Sequence, residues 1–149
     1  MKNSLNLILS LLLFHFLSTQ VVAQEEQQKI DSLKTALSKK SSSDTLTVIN
    51  MNTLGHLLAR ERELESATEY VQKAKKLAKK LGFKKGEANA YNIIGIIAAY
   101  KSDYLEALKN FSESLKLWKE IGNKQGISNA YNHIGGIYES QGNYPDALK

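Results

Sequence analysis

Shifting the chain against itself by 40 residues lays residues 89–97, Asn-Ala-Tyr-Asn-Ile-Ile-Gly-Ile-Ile, on residues 129–137, Asn-Ala-Tyr-Asn-His-Ile-Gly-Gly-Ile. Across 87–109 and 127–149, eleven of 23 positions are identical, where unrelated stretches of ordinary composition share about one or two. An earlier block keeps the same spacing more loosely. Asn52, Gly55, Ala67, Leu77, Gly82 and Gly86 stand 40 residues before Asn92, Gly95, Ala107, Leu117, Gly122 and Gly126. A unit of this size cannot bury its own apolar face, so the repeat commits the chain to a stacked array in which each unit covers the next.

Each unit reads as a pair of helices. In the second copy Tyr91, Ile94, Ile97, Ala98 and Lys101 recur at steps of three and four, the period of one helix face. Ser102-Asp103 interrupts the run, and Asp103 is placed to cap the next helix in a capping box with Glu106. Leu108, Phe111, Leu115 and Trp118 then form a second apolar stripe, which Ile121-Gly122 closes as Leu81-Gly82 does one copy earlier. In the third copy the break is Gly142-Asn143, and Pro145 follows in the first turn of a helix, where proline is tolerated. It is the only proline in 149 residues; ordinary chains carry about 5%, and a chain so poor in this helix breaker is nearly all helix.

Gly55, Gly95 and Gly135 fall inside helices, where each costs about 1 kcal/mol against alanine. A cost repeated at one register implies close approach of a neighbouring helix. Ala67, Ala107 and Ala147, twelve residues further on, are the expected small partners.

The ends read differently. Met1-Lys2-Asn3 is a short basic start, Leu5–Leu17 is mostly apolar, and Val21-Val22-Ala23 supplies a small-residue cleavage pattern before Gln24. Residues 1–23 are therefore expected to be a signal peptide, and the chain to be exported, periplasmic or secreted. The 13-residue apolar run falls short of the ~20 residues a bilayer span needs. Residues 24–43 follow as a capping helix (26–38, with Ile30, Leu33 and Leu37 on one face) and a polar linker. Residues 44–149 hold the repeats, about 47–86, 87–126 and a partial 127–149. Asp44 is placed to cap the first repeat helix. Lys149 comes about one turn into the second helix of the third unit, which suggests a longer array cut short.

Composition narrows the chemistry. Absence of cysteine excludes disulfide scaffolds, thiolate metal sites and thiol nucleophiles. The net charge of +5 is local. Lys73, Lys75, Lys76, Lys79, Lys80, Lys84 and Lys85 crowd one acid-free stretch, leaving twelve basic against fifteen acidic residues in the rest of the exported chain. Lys73, Lys76 and Lys80 share a helix face opposite Ala74, Leu77, Ala78 and Leu81, as a solvated outer face would. Without interleaved aromatics for base stacking, nucleic-acid binding is not expected.

No phosphate loop, nucleophile elbow or His-Glu-x-x-His motif occurs. His56 and His133 stand alone in the sequence, and Glu61, Glu63 and Glu65 sit beside Arg60 and Arg62 at a helix junction as solvated charge. No catalytic residue, metal site or cofactor is expected. Asparagine is the more informative type. Asn52, Asn92 and Asn132 recur three residues before each glycine, and Asn89 and Asn129 share faces with the last two. Asparagine is a poor choice inside a helix. Its amide can either pair with the backbone of an extended peptide or bridge helices and fix repeat register.

The pattern Tyr91, Ile94-Gly95, Ala107, Phe111, repeated as Tyr131, Ile134-Gly135, Tyr138, Ala147, resembles the tetratricopeptide repeat. The first copy departs from it with Met51 and Val71, and the period exceeds the usual 34 residues. The resemblance implies an all-α, right-handed α-solenoid of antiparallel helix hairpins whose first helices line a concave groove. On those offsets the groove residues would be Asn52, His56, Ala59 and Arg60; Asn89, Asn92, Ile96, Ala99 and Tyr100; and Asn129, Asn132, Gly136, Glu139 and Ser140. Lysines at the offsets that chaperone-binding members use are absent. Three roles follow: a non-catalytic module holding a peptide or protein partner; the exported input region of a membrane-bound histidine kinase or nucleotide cyclase, its enzyme beyond Lys149; or a scaffold that self-associates through its open C-terminal face.

Overall fold

The computed structural model describes residues 2–39 and 44–142, with side chains from Gln20 onward. Among the described residues six helices follow one another: α1 (Lys2–Lys39), α2 (Thr45–Arg60), α3 (Leu64–Lys80), α4 (Lys84–Tyr100), α5 (Tyr104–Glu120) and α6 (Lys124–Ser140). No strand occurs among the described residues, and none of their helices is long and apolar enough to cross a membrane. Pro145, Ala147, Asn143 and residues 40–43 of the linker lie outside the described residues.

From α2 onward, consecutive helices pack as hairpins, and α3 also rests on α4. The result is the all-α solenoid implied by the repeat. Helix boundaries follow the expected signals. Asp44 caps α2, its Oδ1 accepting from Thr47 N at 2.8 Å. Asp103 caps α5 by accepting from Glu106 N at 3.1 Å. The expected return bond of a capping box is replaced, because the Glu106 carboxylate accepts from Asn110 and Lys109 instead. Gly82, Gly122 and Gly142 take φ of 64°, 68° and 72° at helix ends, the left-handed closure that glycine adopts without a Cβ penalty. Arg62 and Ser102 take the same conformation (φ 65° and 60°) at the turns within the first two hairpins. They are residues for which it costs about 1–2 kcal/mol.

The core runs along the hairpins. Ile30 of α1 is fully buried with Leu54, Leu58, Val71, Ala90 and Ile93, so α1 covers the outer side of α2. The helical glycines mark close approaches. A Cβ on Gly55 would collide with the Val71 side chain and stand 3.3 Å from the Ala67 carbonyl oxygen, the partner the spacing suggested; one on Gly95 would stand 2.6 Å from the Phe111 ring. Ala67 and Ala107 are buried, and the side chain nearest each glycine comes one turn after the alanine. The lysine-rich α3 shows Lys73, Lys76 and Lys80 to solvent and buries Ala74 and Ala78, while Leu81 at its end is 38% exposed.

Candidate functional site

The first helices of the three units do not meet in the same way. α2 packs directly on α4, whereas α6 packs chiefly on α5. Between α4 and α6 an open cleft of about 550 Å³ remains. Its walls are His56 and Arg60 from α2, Ile96, Ala99 and Tyr100 from α4, and Asn132, His133, Gly136 and Ile137 from α6, with Phe111 of α5 among them. Phe111 is fixed at 1% exposure and carries the His133 ring stacked on it, centroids 4.9 Å apart and planes 13° from parallel. At Gly136 an added Cβ would meet nothing within 4 Å, so the cleft widens where the other two copies place His56 and Ile96.

The groove residues expected from the sequence divide. His56, Arg60, Ile96, Ala99, Tyr100, Asn132 and Gly136 come together in the cleft. Four of the five asparagines do not. Asn52 is buried at 5% exposure in the seam between α2 and α4, its Nδ2 donating to Gly86 O at 2.8 Å. There it bridges two helices through that bond, while its Oδ1 is buried and accepts none. Asn92 is half-buried one unit later, with a buried Oδ1 that accepts no hydrogen bond. Asn89 is half-buried, and Asn129 is exposed and accepts from Gln125 Nε2 at 2.9 Å. Ala59 is fully buried in the core, and Glu139 and Ser140 are exposed away from the cleft lining.

His133, Phe111 and Ile137 are the additions. The signal for His133 was present. Within the best-conserved stretch of the repeat, residues 89–97 and 129–137 differ at only two positions, Ile93 to His133 and Ile96 to Gly136, and both α6 residues lie in the cleft. Two apolar side chains that α4 carries are missing from α6. That removes packing volume from the α4–α6 side and puts a titratable ring where Ile93 is core.

The cleft lining carries three basic side chains and no acidic one. His56 and His133, isolated in sequence, face the same space. Burial holds both imidazoles below the ordinary histidine pKa; the Arg60 guanidinium reinforces this at His56, although much of that ring is exposed, and His56 does so at His133. Arg60 Nη1 pairs with Glu26 Oε1 of α1 at 2.9 Å. Glu26 opposes the lowering at His56. Tyr100 is half covered by the Arg62 guanidinium, whose Cζ lies 4.0 Å from the ring centroid. The cleft thus offers an apolar floor, two basic rings, one guanidinium and one amide, the equipment for holding a ligand. Among the described residues no group of three His, Cys, Asp or Glu could hold a metal ion.

Comparison with known proteins agrees with this geometry. Residues 86–149, from the first turn of α4 onward, match the family model described as tetratricopeptide repeat. Among solved structures, the TPR domain of Arabidopsis FLU superposes with a TM-score of 0.63 at 26% identity, covering 69% of this chain and 87% of that one. The chain has the fold of a tetratricopeptide-repeat domain. No curated protein sequence matches it. The tetratricopeptide fold is that of a protein-interaction module.

Proposed function

We propose that this chain is an exported, non-catalytic interaction module that holds a peptide segment of a partner protein in the cleft between α4 and α6. The observation that carries the reading is the cleft itself: an open, apolar-floored trough with polar groups along its sides. A trough of that kind suits an extended chain, whose side chains need apolar contact and whose amides need donors and acceptors. The leader-like segment 1–23 supports export, and the absence of any catalytic motif in the sequence supports a binding role.

Gly136→Leu tests the reading without unfolding the protein. An added Cβ at this position meets no neighbour, and leucine is the better helix former by about 1 kcal/mol, so the variant should melt at or above the parent temperature while its side chain fills the cleft. Peptides selected from a random library on the parent protein should then lose affinity for the variant by about tenfold or more, the equivalent of about 1.4 kcal/mol. Unchanged affinity in a folded variant would place the binding surface elsewhere.

A further inference from the structure

The cleft is uneven in charge, and the carboxylate that pairs with its guanidinium comes from outside its lining. The cleft lining contains Arg60, His56 and His133 and no acidic side chain. Glu26, on α1, reaches Arg60 from the rim with its own side chain only 14% exposed. The carboxylate of α1 thus occupies the guanidinium that an anionic ligand would need.

We propose that the cleft selects acidic peptide segments, that Arg60 exchanges Glu26 for a ligand carboxylate, and that His56 and His133 take up protons from solvent as the ligand binds. This rests on the peptide-binding reading above and adds to it the ligand's charge and a dependence on pH. The groups that face the two imidazoles are few. α1 supplies Glu26, α2 supplies Arg60, α4 supplies Tyr100, already engaged by Arg62, and α5 supplies only the apolar Phe111. On α6 His133 faces His56. In the free protein, burial and neighbouring positive charge keep both rings neutral at lower pH than usual. A carboxylate placed between them reverses the balance, because an opposite charge within about 4–6 Å favours the charged form. Binding and protonation therefore reinforce each other. Affinity rises as pH falls, as long as the ligand's own carboxylates, with an ordinary pKa near ~4.3, stay ionised.

A flat side chain beside the acidic one would also have a place. The His133–Phe111 stack and the gap at Gly136 leave room for a flat side chain next to the charged one. A fluorescent glutamate–tyrosine copolymer is therefore a suitable probe, with glutamine–tyrosine and lysine–tyrosine copolymers beside it. The parent protein should bind the acidic copolymer about tenfold more tightly at about pH 5.5 than at about pH 7.5. The neutral copolymer should show no such change. His56→Asn with His133→Phe, the latter keeping an aromatic ring on Phe111, should flatten the pH dependence while the protein stays folded. Glu26→Gln removes the internal competitor and should tighten acidic binding about threefold at either pH.

Equal affinity for the acidic and neutral copolymers would overturn the proposal and leave the peptide-binding reading standing. So would a pH dependence that survives the double histidine substitution, or a Glu26→Gln variant that binds no more tightly. Failure of the folded protein to bind any of the three copolymers would overturn both.

Discussion

The seam between α2 and α4 and the space between α4 and α6 are built from the same repeated residues, yet one is closed and the other open. In the closed seam Asn52 is buried and donates to Gly86 O, and Val48 and Phe83 crowd around that glycine. Asn52 and Asn92 alike keep a buried Oδ1 that accepts no hydrogen bond, whereas in the open space Asn132 lies exposed on the cleft wall. Two of the residues by which α6 departs from α4 bear on the difference. His133 and Gly136 stand where α4 has Ile93 and Ile96, and without those two isoleucines α6 has less to press against its neighbour. Repeat proteins stack through nearest-neighbour interfaces, so thinning one interface opens one cleft and leaves the rest of the stack intact.

The comparison can be broken most forcefully at the glycines. Gly95→Ala should cost about 1–3 kcal/mol in a urea melt, because its Cβ would press on the buried Phe111 ring. The same substitution at Gly136 should be neutral or stabilising. Equal effects at the two sites would mean that the cleft wall at Gly136 is packed as tightly as the α4–α5 contact at Gly95. Next in size are the asparagines. Asn52→Ala should cost about 1–3 kcal/mol, since it leaves the Gly86 carbonyl buried without its donor, whereas Asn132→Ala should stay within about 0.5 kcal/mol. Matching losses would give Asn132 a structural duty it does not show.

Much of this was legible before any coordinates. The 40-residue shift, the caps at Asp44 and Asp103 and the left-handed glycines at 82 and 122 are local or periodic signals, and each is set by residues within a few positions of one another. Spacing placed Ala67 beside Gly55, where its carbonyl oxygen lies, but missed Val71 and Phe111 one turn further on, because it gives a register and not which side chain fills the crossing. The asparagines were harder. Their amides suit a peptide backbone and a neighbouring helix equally well, and only the distance to Gly86 O decides between them at Asn52.

Two smaller effects sharpen the picture. Ser102 holds a left-handed backbone at φ 60°, so Ser102→Gly should raise stability by about 0.5–1 kcal/mol by thermal or urea melting. The same change at Arg62 should gain less, since it forfeits the guanidinium contact with Tyr100. The histidines give the smallest signal. Both have folded-state pKa values below the ordinary 6.5, so the unfolded chain binds protons first as pH falls. Their contribution to stability is present above pH 6.5 and is lost as pH drops through the lowered values. The free protein should therefore melt at a slightly lower temperature in mild acid, and the His56→Asn, His133→Phe pair should remove part of that slope. This runs opposite to the acid-strengthened binding proposed for the cleft, and the two trends separate proton release on folding from proton uptake on ligation.

The sequence alone determined that the chain is helical, that its helices pair, and that the pairs recur every 40 residues, because periodicity and capping are written in neighbours along the chain. Tertiary structure decided which recurring residues line the cleft and which face the protein interior. It buried Asn52, exposed Asn132, and brought His56 and His133, 77 positions apart in number, to one cleft. Interaction between residues so distant in sequence depends on how far one helix leans from the next, and that lean is set by the volume of side chains packed between them.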